Sequence, residues 1–130
     1  MEVSFRDENG FLRAIIRGAF SLPGANRVFL DILDAVAARR AHKVLVDGLQ
    51  ISGRIKPMER YAFASHAANA AMQYTKHEAE RAPQFAFVIR EPILDPERFG
   101  ETVATNRGMF VRAFDNVEDA LDWLDVVAVS

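Results

Sequence analysis

The sequence predicts an α/β fold with elements in the order ββαβαβαβα, giving a mixed, mostly parallel sheet with an N-terminal antiparallel hairpin and helices packed on it. Three observations predict it. Two alternating stretches flank an Asn-Gly step at the start, short apolar runs then alternate with longer segments of helical period, and Ser, Asp and Pro mark the starts of those segments.

In Val3 to Arg6 the apolar residues Val3 and Phe5 alternate with polar ones, and in Phe11 to Arg17 Leu12, Ala14 and Ile16 share one face. Between them Asn9-Gly10 tolerates the positive φ of a tight hairpin turn. Ser21-Leu22-Pro23 then opens a helix from about Leu22 to Arg40, since Ser21 caps orphan amides and Pro23 sits where no amide is needed. Leu22, Phe29, Ile32, Leu33 and Val36 recur at its helical period. Val44-Leu45-Val46 ends at Asp47-Gly48 and reads as a strand covered on both faces. Pro57 opens an alanine-rich segment to about Glu80, free of internal Gly or Pro, which predicts the longest helix. Phe85 to Ile89 is a second covered strand. Asp95-Pro96 reads as a cap and a first-turn proline of a helix that Gly108 stops. Met109 to Phe114 is a further strand, and Asp115-Asn116-Val117-Glu118 has the spacing of a capping box opening a last helix that runs to Val127.

Composition bounds the function. The 130 residues carry a formal charge of −2, with 50% hydrophobic and 26% charged residues. This suits one soluble domain over residues 1–130, large enough to hold itself by a single core. Zero cysteines exclude a thiolate nucleophile, a disulfide framework and every cysteine-ligated metal site. Neither a targeting segment at Met1 to Arg6 nor an apolar run of membrane-spanning length is visible, so the expected location is the cytoplasm. The slight negative charge argues against nucleic-acid binding. Thirteen of the 16 basic residues are arginine, several of them near predicted strand ends and helix starts.

Four stretches, FSLPGANRVFLDIL from Phe20, KVLVDG from Lys43, PMERYAF from Pro57 and DPERFGETVATNRGMFVRAF from Asp95, carry a resemblance that spans nearly the whole chain. The sequence resembles the STAS domain and, more closely, its SpoIIAA-like branch of small bacterial proteins. The resemblance implies a non-catalytic regulatory or protein-interaction module that binds protein partners or small ligands. In some STAS domains a serine preceded by Asp, at the start of the helix after the third strand, is phosphorylated. This chain has Ile55-Lys56-Pro57 there, and Ser52 stands several residues early without a preceding Asp, so the resemblance does not carry that switch over.

Ligands of open α/β sheets lie beyond the carboxyl ends of the parallel strands, which directs attention to Asp47, Ser52, Arg54, Lys56 and Arg60. Gly48 to Ile55 spaces two glycines as a phosphate-binding loop does, but Arg54 replaces its lysine and Ile55 its magnesium-binding hydroxyl. Two readings stay open: Arg54, Lys56 and Arg60 gather at a helix N-terminus to hold an anion, or they are solvated loop charges, with Arg60 bonded to Glu59 or Asp47. His66 and His77 are too far apart along one helix to share a metal, and Arg81 stands where a zincin motif needs its second histidine. Carboxylates at Asp31, Asp34, Asp119, Asp122 and Asp125 have the spacing of solvated helix faces. No catalytic site, metal or cofactor is therefore expected. The small residues Ala64, Ala67, Ala68, Ala70 and Ala71, with Tyr61 and Met72 about them, allow close packing on the sheet or on a second subunit. Tyr61, Ala64, Ala68 and Met72 are the expected lining of a homodimer interface or an apolar groove. Two functions follow: a protein-binding STAS-like module, or a carrier or sensor of a small lipid-like ligand whose anionic head is held by Arg54, Arg60, Arg98 or Arg107. The second draws also on a fold-level similarity to CRAL-TRIO lipid-transfer domains.

Overall fold

The Asn-Gly step turns a hairpin. β1 (Glu2–Glu8) and β2 (Phe11–Ala19) pair antiparallel from Glu2↔Arg17 to Glu8↔Phe11, with Gly10 at φ 87 between them. The computed structural model describes residues 1–77, 81–95 and 97–126. The chain continues through α1 (Leu22–Arg39), β3 (Lys43–Ser52), α2 (Pro57–His77), β4 (Gln84–Val88), α3 (Phe99–Asn106), β5 (Val111–Phe114) and α4 (Val117–Leu124), in the expected order ββαβαβαβα. The end of α2 expected near Glu80, the first-turn role of Pro96 and the reach of α4 to Val127 fall outside the described residues.

The sheet has the order β1-β2-β3-β4-β5, and every neighbouring pair after the hairpin is parallel. Strand order never reverses, so right-handed crossovers place α1, α2 and α3 on the same face. That face supplies the larger core, with Leu12, Ala14, Ile16, Val44, Val46 and Phe85 beneath Val28, Phe29, Ile32, Ala64, Ala68 and Ala104. On the opposite face α4 lays Ala120, Leu121 and Leu124 on Phe11, Leu45, Ala86, Val88 and Phe114.

Several boundaries differ from expectation. β3 does not stop at Asp47-Gly48; it runs to Ser52, because β2 offers Arg17, Gly18 and Ala19 as partners for Gln50, Ile51 and Ser52 after a bulge between Ile15 and Arg17. Asp95 does not cap α3. Its carboxylate accepts from the Glu97 amide in a local turn, and α3 begins after Arg98, which takes the left-handed conformation at φ 55. β5 starts at Val111, two residues later than Met109. The cap of α4 is Asn116 rather than Asp115: its Oδ1 accepts from the Asp119 amide at 2.9 Å while Nδ2 donates to the Asp119 carboxylate at 3.0 Å.

The cap of α1 is where the sequence places it. Ser21 Oγ accepts from the Gly24 amide at 3.1 Å. Removing that acceptor with Ser21→Ala is expected to lower stability by about 1 kcal/mol, seen as a lower urea midpoint at constant slope; an unchanged midpoint would mean that water serves the amide equally well.

Candidate functional site

The face beneath α1, α2 and α3 is not evenly filled. Towards the carboxyl ends of the parallel strands it leaves a half-open pocket of about 130 Å³. Val46 and Gly48 of β3, Phe87 of β4, Ile89, and Val111 and Ala113 of β5 line the sheet side. Val28, Phe29 and Ile32 of α1, Phe63, Ala64 and Ala67 of α2, and Ala104 of α3 line the helix side. Met1, Ile16, Phe20, Ala25, Ile51, Ile55, Ile93, Leu94 and Met109 complete the apolar lining, and Arg60, Asp95, Arg98 and Glu101 are its charged members.

The cause of the void lies in α2. That helix turns only Ala64, Ala67, Ala68 and Ala71 fully into the protein, and a methyl group reaches less far than the Leu or Ile that normally fills the gap between helix and sheet. Phe87 and Ile89 consequently stay partly exposed although they belong to an interior strand and its exit.

The charged groups at the pocket are already engaged. Arg60 Nη2 donates to the carbonyls of Ile93 at 3.1 Å and Pro92 at 3.5 Å, tying the β4–α3 connection to α2. Arg98 donates to the Ala113 carbonyl and, at 3.2 Å, to Glu101 Oε2, which accepts from the Ala113 amide at 3.0 Å. This pair closes the outward backbone edge of β5 at Ala113, the part of an edge strand otherwise open to unwanted pairing.

The residues expected to form an anion site are dispersed. Asp47 is 6% exposed and shares a sheet face with Leu45, across the sheet from Val46 and the pocket, where its Oδ2 accepts from Arg13 Nη2 at 2.9 Å and its Oδ1 from the Leu49 amide at 3.2 Å. Ser52 ends β3, exposed, with its carbonyl accepting from the Phe20 amide. Arg54 and Lys56 are exposed in the loop before α2. At the start of that helix the Lys56 amide donates to Glu59 Oε1 at 3.0 Å, so the chain's own carboxylate occupies the place an anion would take. Arg60 alone of the five lines the pocket. The glycine spacing at Gly48 has a packing origin: a Cβ there would lie 2.7 Å from Ile89 Cγ2 and 2.9 Å from Ile51 Cδ1.

The four α2 residues expected to line an interface or groove divide between two sides. Ala64 and Ala68 face inwards, and Ala64 lines the pocket. Tyr61 and Met72 are exposed at the seam with α3, where Tyr61 OH accepts from Arg107 Nη2 at 3.0 Å and Met72 Sδ lies against Gly108. Met58, 84% exposed, shares their stripe. His42 and His77 are exposed, and His66 is half-buried with its Nε2 unpartnered. Among the described residues no group of three His, Asp or Glu is placed to hold a metal ion, and no helix is long and apolar enough to cross a membrane. Sequence spacing puts Phe29 on α1, Phe87 in a covered strand and Phe63 as bulk beside the α2 alanines, without joining the three as one aromatic lining. Its only signal is a run of alanines facing strands that carry phenylalanines.

No family model matches the chain, and no curated protein matches it. Among solved structures it is similar to an anti-sigma factor antagonist from Mycobacterium paratuberculosis, at 13% identity and a TM-score of 0.60, over 95% of this chain and 93% of that chain. The two share a fold. It is the fold type that the four sequence stretches imply, and the nearly complete coverage of both chains leaves no large element of either unmatched.

Proposed function

We propose that the chain is a non-catalytic regulatory module of the STAS type, acting in the cytoplasm by binding a protein partner, with an anti-sigma factor as the first candidate. The observation that supports this most is the shared fold over almost the full length of both chains. The surface agrees with it. Met58, Tyr61 and Met72 lie within one stripe of α2 and stand 84%, 46% and 44% exposed; large apolar and aromatic side chains gathered in this way are what interfaces use as anchors.

The test is calorimetric titration of the purified chain against each anti-sigma factor encoded in its own genome. A saturable complex of fixed stoichiometry is expected, weakened at least about tenfold by Met58→Asp together with Tyr61→Ala, as truncation of a buried interface anchor does. Failure of every candidate to bind would remove the reading. Binding that ignores the double substitution would move the interface away from α2, and a second copy of the chain as sole partner would replace a regulator with a self-assembling module.

A further inference from the structure

We infer that the pocket beneath α1, α2 and α3 is a binding site for a small, uncharged, ring-sized apolar molecule. This stands apart from the partner-binding reading and does not depend on it. Size comes first. At about 130 Å³ the pocket approaches the roughly 150 Å³ of an apolar cavity that stays dry and takes benzene. It is too small for a long acyl chain, so a lipid carrier is not what the volume fits.

Chemistry narrows the class further. The interior is bounded by aromatic rings and methyl groups, with Phe29 stacked on Phe87 at 6.4 Å and edge-on to Phe63 at 6.2 Å. A flat, apolar occupant gains both area burial and ring contacts there. At the rim the fold already uses both arginines: Arg60 Nη2 holds the Pro92 and Ile93 carbonyls, and Arg98 Nη1 holds Ala113 and Glu101, so an anionic head competes with these ties for the same side chains. Arg107 is taken by Tyr61, and Arg54 does not line the pocket. Access also favours a free molecule over a partner's side chain. Ile93, buried at 6% exposure, and Leu94 belong to the connection that Arg60 ties down beside the pocket, so an occupant has to fit within that strap.

The probes are toluene, for a neutral ring, and sodium decanoate, for an apolar chain with an anionic head, each titrated into the full chain while its alanine and isoleucine methyl resonances are followed by NMR. Toluene is expected to shift the methyls of Ala64, Ala67 and Ile89 along a saturable curve, and decanoate is expected to bind at least tenfold more weakly. Ala64→Leu, which fills the pocket, is expected to weaken toluene binding at least tenfold; should that variant not fold, Ala67→Val is read in the same way. The inference is overturned by no saturable shift at the solubility limit of toluene, by equal binding to a folded filled variant, by tighter binding of decanoate, or by the same methyls shifting with protein concentration alone, which would assign the pocket to a second copy of the chain.

Discussion

Truncating Phe29 is expected to cost about 3–5 kcal/mol, the usual range for a buried phenylalanine replaced by alanine. The ring is 1% exposed and meets three others: Phe85 at 5.7 Å, Phe63 at 6.2 Å and Phe87 at 6.4 Å between centroids. These contacts join α1 to α2 and to β4 in the sheet, so its loss leaves three rings on two elements without a partner. The site is also a poor one for relaxation. A pocket already adjoins Phe29, and alanine would enlarge an existing void rather than open a small one that neighbours can close. Net stability of a domain this size is of the order of 5–15 kcal/mol, so Phe29→Ala removes a large fraction of it. Urea unfolding followed by circular dichroism is expected to show a much lower midpoint with little change in slope. A loss below about 1 kcal/mol would show that the ring cluster does not join these elements. Phe63→Ala makes the internal comparison. That ring is only half-buried, and its truncation is expected to cost less than half as much.

The fold was legible because its signals are local and repeat. Asn9-Gly10, Ser21 and Pro57 each act within a few residues, and the apolar runs at Val44 and Phe85 have no reading other than covered strands once helical periods flank them. Where two local signals competed, tertiary context chose. Asp95-Pro96 has the form of a helix start, yet Asp95 closes its own turn, while Arg98 and Glu101 bind the edge of β5 and set where α3 begins. Gly48 looked like part of a phosphate loop because glycine serves both loops and close contacts; its reason here is the side chain of Ile89, which only the pairing of β3 with β4 brings near.

The pocket was half legible. The alanines of α2 stand out as an unusual surface, and Arg60 and Arg98 are among the arginines expected to hold an anionic head. A void, however, is a relation among three helices and a sheet, and no spacing in one segment states how far apart they settle. Hydrogen bonds to carbonyls are equally silent in sequence. An arginine that ties down Ile93 and an arginine that awaits an anion are the same letter, and the backbone path decides between them. Asp47 is different, because counting would have found it. Once β3 is continued beyond Gly48, period-two alternation puts Val44 and Val46 on one face and Leu45 and Asp47 on the other, away from Arg60.

That placement makes Asp47 a structural group, and its removal is expected to be felt in stability. Asp47→Ala deletes the acceptor for both the Arg13 guanidinium and the Leu49 amide. Breaking a buried ion pair from one side typically costs about 3–5 kcal/mol, because the remaining charge stays out of water without compensation. Here the Arg13 side chain is 24% exposed against 8% for Asp47, so water recovers part of that loss and about 2–3 kcal/mol is expected. The remaining guanidinium is the source of most of it, since Arg13 Nε already lacks a partner and the substitution would isolate Nη2 as well. Adding Arg13→Met to the Asp47→Ala chain should therefore restore more than 1 kcal/mol, although it removes a second polar group, and a double-mutant cycle isolates that coupling. Additive losses would show that the pair does not interact in solution. Binding of a protein partner or of toluene, measured where the variant is still folded, should be unchanged, because Asp47 faces away from both the α2 stripe and the pocket. A fall in affinity with stability intact would instead place Asp47 in a binding site and return it to the company of Ser52 and Arg54.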